Sequence, residues 1–311
     1  MRVIFMGTPE FAVPSLQALI DAGYEIPLVV TQPDRKGNRG KVEYSPVKKL
    51  AMAHHIDVIQ PVSIRREPEQ MQLLESLAPD LIVVAAFGQI LPQRVLDIPA
   101  YGCINVHGSL LPALRGAAPI QYAILQGLEE TGVTIMRMEQ GLDTGDMIAK
   151  ASLPAAGLTT EELSGRMADL GASLLIRTIP AIVDGTAVYE KQEDAQSSYA
   201  PVIRKTDGLT DLHEPAEILK RKCLAFDPWP SLYSYLDGKQ FKFYGVRVTG
   251  AKPDGPAGTV SSVGKNSFTV NCSDGQLEVL ELQVQGKKRM RAGDFLRGSR
   301  MEPGARFTAE Q

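Results

Sequence analysis

The first half of the chain alternates near-continuous apolar runs with amphipathic stretches, and that alternation restricts the fold more than any other feature. The runs are VIFMG (3–7), IPLVVTQP (26–33), LIVVAAFG (81–88), CINVHG (103–108) and GVTIMRM (132–138). Their β-branched, unalternated character is that of strands buried on both faces. Between them, residues 10–23, 46–55, 66–77, 118–127 and 160–184 carry apolar residues at helical spacing. Such alternation builds βαβ units, so an α/β architecture is expected, with a mostly parallel sheet and helices on both faces. Ligands of such sheets bind at the carboxyl ends of the strands. That rule points to Gly7-Thr8, Ala86–Gln89 and Asn105–Pro112.

Near residue 188 the pattern changes. EKQEDAQSSYAPVIRKTDG (190–208) is polar without a period and reads as a linker. A helical stretch at 214–226 precedes the strand-like runs KQFKFYGVRVTG, AGTVSSV, SFTVNC and QLEVLELQVQ, which are separated by turn residues. Short strands spaced in this way suggest a small antiparallel barrel of the open, OB-like kind. The expected organisation is therefore a domain over 1–189, a linker over 190–208 and a second domain over 209–311. A length of 311 residues accommodates two domains.

Charge and cysteine usage narrow the class. The net charge of −3 argues against a protein that coats nucleic acid over its whole surface. Residues 201–311, however, hold 17 Lys and Arg against 13 Asp and Glu, a net +4, while the remainder holds 16 against 23, a net −7. A C-terminal module facing a polyanion is one reading, ordinary charge scatter the other. No apolar run approaches the ~18–20 residues of a membrane span. Met1 leads straight into RVIFMG with no cationic n-region or cleavage site, which argues against a secretory signal. Cys103, Cys223 and Cys272 have neither disulfide nor zinc spacing, so a reducing, cytoplasmic location is expected.

The segment CINVHGSLLPALRGAAP (103–119) is the richest in chemistry. Asn105 and His107 stand i, i+2 at a strand end, so both side chains leave the same face. An amide donor beside an imidazole suits a reaction that develops an oxyanion and moves protons. Ser109 lacks the GxSxG elbow of a serine nucleophile. QGLDTGDM (140–147) supplies Asp143, which could support an imidazolium, although Asp143 and Asp146 are also ordinary turn formers. TQPDRKGNRGKVEYSPVKK (31–49) packs six cations into fifteen residues. Leaving the second strand on the same rim, it suits a substrate held by its phosphates; a merely solvated loop is the alternative. FMGTPEFA lacks GxGxxG and no GxxxxGK[ST] occurs, which argues against dinucleotide and ATP sites. His54, His55 and His213 have no partners at metal-ligand spacing, so no metal is expected.

These segments together resemble the methionyl-tRNA formyltransferase family. FMGTPEFA, the TQPDR…RGK stretch, CINVHGSLLP-LRGAAPIQ, GVTIM…GLDTGDM and AFDPWP (225–230) occur in the family's order over nearly the whole chain. The chain departs from the family at Ala113, where a larger and often basic residue is usual, and at TDLHEPAEI (210–218). The resemblance implies a Rossmann-like catalytic domain, an OB-like tRNA-binding domain, and formyl transfer from 10-formyltetrahydrofolate to methionyl initiator tRNA. By position it implies that Asn105, His107 and Asp143 are catalytic. Ser109, Leu110, Leu111, Pro112, Ala86, Phe87, Gly88, Gln89 and Gly141 would border the folate, and Arg35, Lys36, Arg39 and Lys41 would meet tRNA. A monomer without membrane attachment is expected.

Three other readings remain open to test. Formyl transfer to a small amine fits poorly with the basic stretch and second domain. A formyltetrahydrofolate hydrolase would share the trio and admit water. A catalytically silent RNA-binding module would not need the trio.

Overall fold

The computed structural model describes residues 1–36 and 42–310, with the side chains of Arg35, Lys36 and Val42 outside the description. In chain order the elements begin β1 (Arg2–Gly7), α1 (Val13–Asp21), β2 (Glu25–Val30), β3 (Arg35–Lys36), β4 (Val42–Glu43), α2 (Pro46–Ala53), β5 (Asp57–Ile59), α3 (Pro68–Leu77), β6 (Leu81–Ala85) and α4 (Gln93–Leu96). They continue β7 (Cys103–His107), β8 (Arg115–Gly116), α5 (Pro119–Leu125), β9 (Glu130–Arg137), β10 (Met147–Pro154), α6 (Thr160–Val183) and β11 (Tyr199–Ala200). Contacts divide the chain into two units: one of Met1–Pro119, Glu130–Pro154 and Leu163–Pro201, the other of Ile120–Glu129, Ala155–Glu162 and Val202–Gln311.

A sheet ordered β10-β9-β7-β6-β1-β2-β5 forms the first unit. The five strands from β7 to β5 are parallel, as expected for the buried apolar runs. Ile4 and Met6 of β1 enter a cluster with Met71 and Leu74 of α3 and Val95 and Leu96 of α4. Val3 and Phe5, on the opposite face, are equally buried, which is why these strands read as continuous rather than alternating. The run 132–138 is a strand over 132–137, buried through Met136 as expected, but its direction is the exception in a mostly parallel sheet. It lies in β9, which pairs antiparallel with β7 and with β10. From Ala149 onward the hairpin partner β10 alternates half-buried and exposed residues, as a half-exposed edge strand should.

One local device positions the strand that carries Asn105 and His107. Helix α6 buries Leu163, Met167, Gly171, Leu174 and Leu175 at helical spacing. A Cβ at Gly171 would stand 2.8 Å from Val106 Cγ1, so glycine allows α6 to close on β7. Val106 points to α6, and its neighbours Asn105 and His107 therefore leave the other face. Helix α2 begins where Ser45 Oγ accepts the Lys48 N–H at 3.2 Å and Pro46 takes the first position.

The stretch 190–208, expected as a linker, is built into structure over its first part. Tyr199 and Ala200 of β11 pair in parallel with Arg115 and Gly116 of β8. Glu190 pairs with Met147.

The second unit contains α7 (Ala216–Ala225), β12 (Leu232–Leu236), β13 (Lys239–Val248), β14 (Val260–Val263), β15 (Phe268–Asn271), β16 (Gln276–Val284), β17 (Met290–Arg291) and α8 (Ala292–Arg297). Its antiparallel sheet runs β12-β13-β16-β15-β14, with β17 beside β16. Tyr235 of β12 pairs with Thr308, and Thr259 with Arg306, so the last residues span the two edges of the sheet. Phe307 sits between them in the core, its ring 5.4 Å from those of Phe241 and Phe243 in edge-on packing. Among the described residues, no helix is long and apolar enough to cross a membrane.

Candidate active site

His107 ends β7 and is buried. Its Nε2 lies 3.1 Å from the Leu114 carbonyl. A carbonyl only accepts, so Nε2 carries a proton and Nδ1 is the nitrogen left for chemistry. Leu114 turns its carbonyl inward by adopting φ 58°, left-handed space that a branched residue occupies only when its surroundings hold it there. The Ser198 hydroxyl contributes to that hold by accepting the Leu114 N–H at 2.9 Å.

His107 Nδ1 faces Asp143 Oδ2 at 3.8 Å. The separation exceeds a hydrogen bond, as catalytic contacts often do before substrate draws them together. The same Asp143 oxygen accepts the Gly116 N–H at 2.8 Å. Gly116 has φ 111°, and a Cβ there would meet the Tyr199 ring at 2.6 Å and the Ala200 carbonyl at 2.7 Å. Glycine alone brings this N–H to the carboxylate while β8 pairs with β11. Asp143 itself stands at φ 53°. Its carbonyl and that of Gly145 accept from Gln192 Nε2 at 2.8 and 2.7 Å.

Asn105 precedes His107 by two residues on the same face and is half-buried. Its backbone pairs with Val84 and Met136, and among the described residues its side-chain amide has no hydrogen-bond partner. The structure thus brings the sequence-predicted Asn105 and His107 onto one strand face and sets Asp143 against His107.

The expected folate-bordering residues divide into two groups. Ser109 is fully buried and its hydroxyl donates to the Ala113 carbonyl at 2.6 Å. Leu111 is buried with Met136 and Met147, and its N–H donates to Thr134 Oγ1 at 3.0 Å. Phe87 is a core side chain whose carbonyl accepts from Gln32 Nε2 at 3.1 Å. Gln89 spends its amide on Ile64 N–H and the Pro61 carbonyl at 2.8 and 2.9 Å. These four side chains serve the fold. Ala86, Gly88 and Gly141 are exposed, and Leu110 and Pro112 are half-buried. Of the cationic residues, Arg35 and Lys36 lie on β3, which pairs with β4. Arg39 and Lys41 lie outside the described residues.

Sequence reasoning missed Gln192 and Arg115. Arg115 Nε donates to Gln192 Oε1 at 2.9 Å. Arg115 stands inside LRGAAP and was open to notice; Gln192 stands in a polar stretch without a period and left no signal.

Among the described residues, the face that carries Asn105 and His107 offers no free thiol or hydroxyl nucleophile. Burial pushes the Cys103 thiol up to about 12, and Ser109 is bonded internally. Among the described residues, no group of three His, Cys, Asp or Glu side chains stands close enough to hold a metal ion.

Residues 1–179 match the family described as formyl transferase, and residues 202–300 match its C-terminal domain. A methionyl-tRNA formyltransferase of Citrifermentans bemidjiense is 50% identical over 306 residues, covering 98% of this chain and 95% of the relative. One of Agathobacter rectalis is 48% identical over 313 residues, covering 99% and 100%. Among solved structures, the sugar 3N-formyl transferase WlaRD, crystallised with dTDP and 5-N-formyl-THF, aligns with a TM-score of 0.66 at 20% identity, over 93% of this chain and 99% of that one. HypX of Aquifex aeolicus in complex with tetrahydrofolic acid aligns with a TM-score of 0.64 at 15% identity, over 98% of this chain and 50% of that one. At those identities the two structures establish a shared fold. The family match and the near-full-length relatives establish more: this chain belongs to the formyl transferase family.

Proposed function

We propose that the protein transfers the formyl group of 10-formyltetrahydrofolate to the α-amine of methionine on initiator tRNA. One observation carries this reading: an uncommitted amide, Asn105, stands two residues from an imidazole whose Nδ1 faces a carboxylate at 3.8 Å. The near-full-length relatives named for this reaction support it.

The rim suits a folate. A flat pterin takes backbone hydrogen bonds beside small residues, and exposed backbone at Ala86, Gly88 and Gly141 provides them. Leu110 and Pro112 would supply the apolar shoulder. Bound there, the donor supplies the formyl carbonyl that the amine attacks.

The chain's residues then divide the work. The Asn105 amide donates to the negative charge building on the formyl oxygen, a contribution of about 2.7–4 kcal/mol for one such donor. His107 moves protons through Nδ1, because Nε2 is held by Leu114. It takes one from the attacking amine as the new C–N bond forms and returns one to the folate nitrogen N10 as the N10–formyl bond breaks. Asp143 stabilises the imidazolium while that proton is in transit. The nucleophile comes with the substrate, in keeping with the buried Ser109 and Cys103. All three residues come from one chain, which suits a monomer. The net-cationic 201–311 segment and the 35–49 stretch would grip the tRNA.

Formylmethionine is measured after incubation with 10-formyltetrahydrofolate and charged initiator or elongator methionyl-tRNA. Formylation of the initiator in strong preference is expected. Equal formylation of both, transfer to a small amine, or formate release without acceptor would overturn the reading.

A further inference from the structure

Gln192 lies in the stretch that composition assigns to a linker, yet it is among the few buried polar side chains of the first unit. Each polar atom of its amide is engaged beside the reacting face. Nε2 donates to the Asp143 and Gly145 carbonyls at 2.8 and 2.7 Å. Oε1 accepts from Arg115 Nε at 2.9 Å. Arg115 immediately precedes Gly116, whose N–H binds the Asp143 carboxylate. One side chain therefore ties the backbone of the Asp143 loop to the short strand that donates to the Asp143 carboxylate.

The loop needs such a tie. Asp143 sits at φ 53°, a conformation that persists in a non-glycine residue when neighbouring bonds over-determine it. Among the described residues, loss of the Gln192 bonds leaves the Gly116 N–H as the remaining hydrogen bond to Asp143. The backbone of Arg115 is held by β11, but its side chain has few other anchors. Its Nη1 reaches Asp194, an exposed carboxylate, and its buried Nη2 has no partner among the described residues.

We propose that Gln192 is a positioning residue for formyl transfer, holding Asp143 against His107 by clamping the loop to β8. The inference rests on Asp143 acting with His107, as proposed above.

The test uses the full chain and four variants: Gln192→Met, Gln192→Glu, Asp143→Ala and Gln192→Met/Asp143→Ala. Gln192→Met keeps length and removes the amide; Gln192→Glu sets a carboxylate against two carbonyls. Expected for Gln192→Met is a kcat about tenfold lower, with KM for both substrates within about twofold of wild type. Gln192→Glu should fall further. The double variant should turn over no more slowly than Asp143→Ala, because Gln192 acts through Asp143. Thermal unfolding checks that the variants are folded; if Gln192→Met is not, Gln192→Glu against Asp143→Ala carries the test. Wild-type kcat in both Gln192 variants while Asp143→Ala is impaired would overturn the positioning role alone. So would a double variant slower than Asp143→Ala by the Gln192 factor. Wild-type turnover in Asp143→Ala would overturn the site reading and this inference with it.

Discussion

Two glutamines organise two parts of the same sheet rim, and they do so with different partners. Gln192 bonds to backbone carbonyls and to an arginine. Gln60 sits at the base of the basic stretch inside a charged knot. Its Nε2 donates to Asp34 Oδ1 at 2.9 Å and to the Gln32 carbonyl at 2.8 Å, while its Oε1 accepts from Lys48 Nζ at 2.6 Å. Lys48 also pairs with Asp34 at 2.5 Å and lies over the Tyr44 ring. Asp34 precedes the 35–43 segment and Tyr44 follows it, so both ends of that segment meet in this knot. The bonds that Gln192 adds to the Asp143 loop are made by a neutral amide, which takes up no proton across ordinary conditions. The base of the basic stretch is fastened by an ion pair, which does respond to protons.

The largest expected effect breaks the catalytic side of this comparison. His107→Ala and Asp143→Ala should each lower kcat by at least about a hundredfold, the usual scale for a positioned acid–base group. The double variant should be little worse than the worse single one, because the pair acts as a unit. Folate binding, followed by fluorescence titration, should change far less. Multiplicative losses in the double variant would show that the two side chains act separately. Asn105→Ala should cost about a hundredfold in kcat through the lost donor, and a change confined to KM would remove Asn105 from that role.

What could be read in the amino-acid order follows from what each kind of contact leaves behind. The buried strands were legible because two covered faces demand continuous apolar runs, as in LIVVA of β6. The short β5 left too few residues to register, and its DVI is not fully buried. The antiparallel direction of β9 was hidden because burial on both faces looks the same in either direction; β10, which decides it, is a half-exposed edge. Asn105 and His107 were legible because a strand sends alternate residues to one face. Gln192 was not, since its partners lie 47 and 49 residues earlier and an isolated amide carries no period. At Ala86–Gln89 it is the backbone that stood out, by its place at a strand end, while the Phe87 and Gln89 side chains pack and bond within the fold.

A middle-sized effect sharpens the comparison on the charged side. Arg39 and Lys41 lie outside the described residues, and their proposed part is phosphate contact. Neutralising both should weaken tRNA binding while leaving folate binding intact. Each lost phosphate contact should flatten the slope of log affinity against log salt by roughly 0.7–0.9. A larger loss for initiator than for elongator tRNA would mean that this stretch also discriminates between acceptors. An unchanged slope with unchanged tRNA kinetics would reduce it to a solvated surface.

The smallest expected effect tests the knot itself. Burial would raise the Asp34 carboxyl, but the Lys48 and Gln60 bonds outweigh it and hold the group below the ordinary carboxylate range. A folded-state value below the unfolded one adds stability that is present above the unfolded value, about 3.9, and lost as pH falls through the folded one. Lys48→Met keeps the aliphatic stem and removes the charge. It should cost about 1.5–3 kcal/mol near neutrality, the scale of a hydrogen bond to a charged partner. Urea unfolding should show that deficit constant from neutral pH down to about 5 and shrinking below about 4, as Asp34 takes up a proton in both proteins. Gln192→Met offers the contrast: its partners are carbonyls and an arginine that stays charged, so its deficit should be flat over the same range. A Lys48→Met deficit that is equally flat would mean that packing on Tyr44 and the bond to Gln60, rather than the ion pair, hold the base of the basic stretch.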